Sequence, residues 1–430
     1  MAATGVGAGD LATAGFAGSQ LGTAVLWAVL VGAFLKFVLT EGLARWQLAT
    51  GLTLLEGTAL KLGRATISLW GKARIGVRSL VGWFFIPYFL LWTFFVGSAL
   101  ISACGVTLYA ILAASHLPLV TSLDPDTAKV IFGILSSLAG LSLLLMGGFP
   151  LFERIMGICI GTMFLTVVAS ALVLMTEPVE VLKGMVIPRI PDISGSGLTW
   201  TIALMGGVGG TVTILCYGYW IAEVGRKGRD SLKICRIDLA TGYGTIAIFG
   251  MALVIIGNSA SIEGSGAGLI VSLADSLETS MGQTGRWLFL IGAFGAVFSS
   301  LLGVWQAAPY LFADIWNLFL KNNPTGQPSE TSRQSMGVPI HSRSLPYRFY
   351  LFAIAIVPML GLFVQFREIQ KIYAIIGAAF IPMLAALLLL LNGRRQWVGS
   401  STNRPSTVLA LVIILLFFGW IAWRVWISNP

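Results

Sequence analysis

The chain has 430 residues, of which 56% are hydrophobic and only 10% charged. A soluble globular domain carries about 25% charged residues, so most of this chain lies in a non-aqueous environment, and its repeated apolar runs argue for one bundle of membrane-spanning helices rather than several soluble domains. The formal charge of +9 is spread between those runs, which excludes a nucleic-acid-binding patch and reads instead as membrane topology.

The predicted spans, in chain order, lie near residues 2–18, 21–44, 81–113, 128–147, 153–176, 198–221, 237–258, 286–312, 348–366, 370–391 and 406–426. Polar or proline-bearing stretches separate them, among them Pro118 to Asp126, Pro188 to Gly197 and Asn322 to Pro346. Residues 1–9 have no positive n-region, so no cleavable signal peptide is predicted. Alternate loops hold 19 Lys and Arg on one side against 7 on the other, with Lys36 inside the second span. By the positive-inside rule the richer side is cytoplasmic, which puts the N-terminus inside and the C-terminus outside a cell membrane. An odd number of spans, such as eleven, satisfies this.

Two spans are rich in glycine where glycine costs helix stability. Residues 4–18 read TGVGAGDLATAGFAG and residues 206–218 read GGVGGTVTILCYG. They are spans one and six, the corresponding members of two halves. Glycine-broken spans in corresponding positions point to a transporter's midplane site, although close helix packing also uses glycine. The fold expected is all-α, a five-plus-five inverted repeat in a single domain over 1–430. Repeat one is about 1–176, repeat two about 198–391, and an extra helix covers 406–426.

Acidic residues within a membrane default to function. Glu41, Glu153, Glu223, Asp238 and Asp314 fall at span ends, where they are solvated or paired. Asp10 lies in the middle of the first interrupted segment with no basic residue near in sequence. A carboxylate there needs a cation, a proton or a structural partner such as a broken-helix amide. Broken helices also expose backbone carbonyls, which are hard oxygen ligands. In the second segment Gly210, Thr213 and Cys216 lie along one helix face. Thr213 offers a hydroxyl oxygen, and Cys216 a thiol that suits a softer metal only if ionised. Tyr217, Tyr219 and Trp220 read as interfacial anchors. Lys36 is expected to snorkel to the cytoplasmic face, about two turns away, or to pair with a carboxylate. Packing hydrogen bonds account for Ser299, Ser300 and Gln306. The four cysteines show neither metal-ligand nor disulfide-framework spacing. With two histidines, His116 and His341, both in predicted loops, no phosphate-binding loop and no paired catalytic carboxylates, the chain carries no enzyme signature. No cofactor is predicted.

From GAGDLATAGFAGSQLGTAVLW (7–27), through LARWQLATG (43–51), GGFPLFERIMG (147–157) and MVIPRIP (185–191), to GGVGGTVTILCYGY (206–219), the chain resembles the NRAMP family of divalent metal transporters. The resemblance implies a LeuT-like fold with broken helices one and six, and alternating access of a divalent metal ion across the bilayer. Given that family, the first helix is expected to lack some sequence typical of its start. Aligned on Ala17-Gly18-Ser19-Gln20, the family's aspartate falls on Gly7 and its asparagine on Asp10. In the sixth helix its methionine ligand falls on Thr213, its histidine on Leu215, and the alanine whose carbonyl binds metal on Gly210. The resemblance so adjusted implies Asp10 and Thr213 as metal ligands, with carbonyls near Gly7 and Gly210, and a harder ion such as Mg²⁺ or Mn²⁺. It also implies weak proton coupling, because residues 81–113 contain no Asp, Glu or His and Leu215 replaces the histidine. The alternatives are a carrier of a non-metal solute on the same fold, or a non-transporting membrane scaffold.

Overall fold

The structure, a computed structural model, describes residues 7, 9–62, 66–69, 73–115, 122–146, 149–193, 196–228, 230–259, 268–320 and 344–428. His116, His341, most of the stretch Asn322 to Pro346, and the start of the first expected span lie outside the described residues. So do the side chains of Glu153, Cys159 and Glu223.

The described chain is helical apart from one antiparallel hairpin, β1 (Thr66–Leu69) and β2 (Ala73–Gly76), in which Thr66 pairs with Gly76. A π-helical turn (Gly9–Thr13) runs into α1 (Ala14–Leu21). A short 3-10 turn (Gly22–Val25) then joins α1 to α2 (Leu26–Thr50). With 25 residues, α2 is about 37 Å long and crosses the hydrocarbon core. The turn and α1 together reach only about 20 Å, from near the midplane to one face.

The first two expected spans therefore form one apolar helical run, Asp10–Thr50. Among the described residues nine helices are long and apolar enough to cross a membrane, or ten if a bent pair is one span, where eleven were expected. The link at Gly22–Val25 contains no charged residue and keeps a helical hydrogen-bond pattern, so both expected spans count as one run, although its 41 residues are about twice what one crossing needs. The fifth expected span is α5 (Phe149–Leu174), which bends by 115° into α6 (Pro178–Val186).

The other elements follow the predicted order. They are α3 (Val77–Ala114), α4 (Pro125–Met146), α7 (Ser196–Gly207), α8 (Cys216–Glu223) and α9 (Ser231–Ser259). Then come α10 (Leu269–Ile315), α11 (Leu345–Ile356), α12 (Phe366–Asn392) and α13 (Pro405–Ser428). The chain kinks inside α10 at Gly282, where φ is 69°.

Packing places α1, α7 and α8 at the centre. The helix α9 lies against α1 and α2, α7 against α12, and α10 against α5 and α3. Glycine makes these approaches close. A β-carbon at Gly18 would overlap the Val254 carbonyl, and one at Gly257 would overlap Gly15, so α1 and α9 meet backbone to backbone. Polar links tie α3 to its neighbours. Tyr88 Oη donates to Ile376 O at 2.9 Å, and Gln370 Nε2 donates to Ala99 O at 2.8 Å. Outward faces are apolar, as at Phe34, Phe84, Met146, Leu165 and Leu409, and these are the lipid-facing side chains of a multi-pass membrane protein.

Candidate midplane site

The sixth span breaks because its sequence cannot continue as a helix there. Gly209 and Gly210 have φ of 81° and 74°, a left-handed pair that ends α7 as a C-terminal cap does. The chain restarts in a 3-10 turn, Val212–Leu215, and then α8. Ending a helix strands carbonyls that have no partner further along.

Lys36 supplies that partner. It projects from α2, is fully buried, and its ammonium donates to the carbonyl of Gly206 at 2.8 Å and to the carbonyl of Val208. This corrects the expectation of a snorkelling lysine. Reaching water would leave both carbonyls unpaired inside a bundle where each needs a donor. Thr40, one turn on, fixes the neighbourhood. Its hydroxyl donates to Lys36 O at 2.7 Å and lies 2.8 Å from Tyr243 Oη of α9.

Asp10 meets the same break from the other side. It is 2% exposed. Its Oδ2 accepts the Gly7 amide at 2.9 Å and its Oδ1 accepts the Gly209 amide at 3.1 Å. One carboxylate thus caps the start of the first helix and ties it to the unwound part of the sixth. Asp10 and Lys36 hold the two ends of one peptide, the carboxylate on the Gly209 N–H and the ammonium on the Val208 carbonyl, so opposite charges face each other across it. The structure therefore brings together Asp10, Gly7 and the Gly209–Gly210 pair. The Gly7 carbonyl also accepts the Leu11 amide at 3.0 Å, which leaves it one lone pair for a ligand.

Thr213 lies at the edge of this group. It is partly exposed, with its hydroxyl 3.0 Å from the place a β-carbon on Gly210 would take. Cys216 lies outside it. The thiol is buried in α8 and points to Ala307 O of α10 at 4.0 Å. Tyr217 and Tyr219 are hydrogen-bonded inside the bundle. Their hydroxyls donate to Asp238, at 3.0 Å, and to Asp314.

Two further hydroxyls lie beside this group; sequence reasoning missed Thr13 and gave Ser300 only a packing role. Thr13 Oγ1 and Ser300 Oγ are buried with no hydrogen-bond partner among the described residues. Thr13 packs on Gly207, 2.8 Å from its β-carbon position, and Ser300 packs on Gly7. Orphaned buried hydroxyls are uncommon, and these two lie against Gly7 and Gly207 beside the broken segment. Thr13 follows Asp10 by three positions, so a helical-face argument could have found it. Ser300, on α10, was read as a packing hydrogen-bond group; its hydroxyl has no such bond among the described residues. Nearby, Thr211 Oγ1 accepts the Trp92 indole N–H of α3 at 2.8 Å. Among the described residues no three His, Cys, Asp or Glu side chains come together as a metal cluster. The donor set is one carboxylate with hydroxyl and carbonyl oxygens, which suits a hard cation.

No curated protein sequence matches the chain. Among solved structures, a variant of the Eremococcus coleocola manganese transporter superposes with a TM-score of 0.65 at 13% identity, covering 96% of this chain and 83% of that one. MhsT in complex with L-phenylalanine superposes at 0.60 with 16% identity, covering 100% and 97%. MHP1, a nucleobase-cation-symport-1 family transporter in a closed conformation, gives 0.53 at 13% identity, covering 98% and 91%. These likenesses establish the LeuT-like fold. The family model described as natural resistance-associated macrophage protein-like matches residues 1–428, and the chain belongs to that family, NRAMP.

Proposed function

We propose that this protein carries a hard divalent cation across the cell membrane by alternating access around spans one and six. The observation that carries the reading is Asp10, a buried carboxylate that holds both broken segments and keeps lone pairs to spare. Asp10 is the anionic ligand. Thr213 and the carbonyls near Gly7 and Gly210 supply further oxygen, as do the hydroxyls of Thr13 and Ser300. Without sulfur in the set, Mg²⁺ or Mn²⁺ is favoured over Cd²⁺. Proton coupling is weak, since α3 has no Asp, Glu or His between residues 81 and 113. The N-terminus faces the cytoplasm and the C-terminus faces outside, as the distribution of Lys and Arg requires.

Titration of the purified protein with Mg²⁺, Mn²⁺, Ca²⁺ and Cd²⁺, followed by uptake into proteoliposomes holding a pH dye, tests this reading. Saturable Mg²⁺ or Mn²⁺ binding and uptake, without stoichiometric acidification, is the expected result. Tight Cd²⁺ uptake that outcompetes Mn²⁺ would overturn the ion preference. Failure of every divalent ion to bind would turn the reading to a non-metal solute on the same fold. The orientation is read separately, by cysteine labelling in loop 321–345, which should succeed only from the cytoplasmic side.

A further inference from the structure

We propose that Lys36 is a built-in cation that stands in for the transported ion while the carrier is empty, so that the empty carrier can reorient without any coupling ion.

A carrier must return empty after each delivery. With the ion gone, Asp10 alone would be an unpaired carboxylate inside the membrane, a state that costs several kcal/mol. The break in span six adds carbonyls with no helical donor. In related architectures of this general kind, broken-helix carbonyls and half-helix ends coordinate ions. Here a side chain of the protein takes that place. Lys36 donates to the Gly206 and Val208 carbonyls, is fully buried, and balances the charge of Asp10 across the Gly209 peptide. The empty site is therefore close to neutral, and its exposed backbone is hydrogen-bonded.

An arriving cation changes the balance. It needs Asp10 and oxygens of the unwound segment, and like charges at short range in a low-dielectric site repel strongly. Ion and ammonium are mutually exclusive on those carbonyls, so Lys36 leaves as the ion binds and returns as it departs. Four methylenes give the ammonium the reach to do so. The elements packed around it present few other ionisable groups. Tyr243 of α9 lies beside Gly209, and Tyr373 of α12 is buried. Glu41, the next carboxylate along α2, is committed to Arg45 and Arg236. Asp10 is thus the partner whose charge Lys36 balances.

The proposal rests on spans one and six forming the carrier's site, but its test uses no ion. Spin labels on Ile237 of α9 and Phe349 of α11, both exposed, with the four native cysteines replaced by alanine, report the opening between the central helices and their scaffold in nanodiscs. Empty wild-type protein should give two distance populations. Lys36→Gln keeps a hydrogen-bond donor but removes the charge, and should shift the ratio of the two populations at least tenfold towards one. The neutral pair Asp10→Asn/Lys36→Gln should restore both. A single population in the wild type, an unchanged ratio in Lys36→Gln, or no restoration in the double variant would each overturn the proposal. If Lys36→Gln does not fold, Lys36→Arg replaces it; that variant keeps the charge and should keep both populations, and one population would again overturn it. A wild type that binds no divalent ion removes the substrate reading and leaves this result standing.

Discussion

Helix α2 carries two buried cationic systems about two and a half turns apart, and they are built on opposite principles. Towards its C-terminal end, Glu41 is gripped by Arg45 of the same helix at 2.9 Å and by Arg236 of α9 at 2.6 Å. Arg45 also donates to Thr402 O at 3.3 Å and to Asn403 Oδ1 at 3.1 Å. The Asn403 amide in turn donates to Asn392 O at 3.0 Å, and Asn392 Nδ2 to Gly42 O at 2.8 Å. Charged groups are matched by charged groups, and α2, α9 and the end of α12 are tied in one network. At the midplane, by contrast, the Lys36 ammonium bonds only to neutral carbonyls of a segment that has no helical ladder. In the first arrangement the carboxylate is fully engaged by two guanidinium groups. The second can trade its ammonium for an ion. Buried charge is a latch where every partner is fixed, and a site where the partners are backbone oxygens that a solute can share.

Breaking the latch should have the largest effect. Glu41→Gln leaves Arg45, 4% exposed, buried without its carboxylate, which costs roughly 3–5 kcal/mol. Thermal melting in detergent should show the loss, while the ion affinity of the folded fraction stays at the wild-type value. An altered affinity with unchanged melting would erase the distinction between the two systems.

At the midplane, Asp10→Asn should act the other way round. The amide oxygen still accepts one backbone N–H, so the fold survives. The lost charge should weaken divalent binding by about 100-fold, or ~2.7 kcal/mol. Calorimetric titration measures it, and wild-type affinity in the folded variant would remove Asp10 from the site. Thr13→Val and Ser300→Ala sharpen the contrast further. Neither hydroxyl has a partner to lose among the described residues, so melting should barely move. Each should nevertheless cost about tenfold in ion affinity, ~1.4 kcal/mol. A large drop in melting temperature with unchanged affinity would make them packing groups.

The two systems also differ in how far they can be read from sequence. A glycine cluster marked the break in the sixth span, and Asp10 stood out as a carboxylate in an apolar run with no basic neighbour. Those signals are local. Lys36 was visible as a lysine in a span, but its acceptors lie some 170 residues away, and only the packing of α2 on α7 joins them. Ser300 was read only as a packing group for the same reason, since its place against Gly7 depends on how α10 meets span one. The link between the first two spans is hard to read where local polarity is weak. The turn at Gly22–Val25 has no charge to announce it, and its kink comes from Gly22, where φ is 66°.

The smallest effect expected belongs to Thr213, and it tests where the midplane site ends. The family's methionine ligand aligns with Thr213, which would make it a ligand of first importance. The geometry is less generous. Thr213 sits in the 3-10 turn after the break, partly exposed, beside Gly210 rather than beside Asp10. A side chain at the edge of the site adjusts preference more than it sets affinity. Thioether favours soft ions over hard ones, so Thr213→Met should raise the affinity for Cd²⁺ relative to Mn²⁺. With the carboxylate and the inner hydroxyls unchanged, the ratio should move only about threefold, ~0.65 kcal/mol. Competition of Cd²⁺ against Mn²⁺ in equilibrium dialysis resolves a change of that size. A shift of a hundredfold would place Thr213 in direct contact with the ion and draw the site towards the sixth span. No shift at all would confine the site to Asp10, Thr13, Ser300 and the carbonyls that Lys36 now holds.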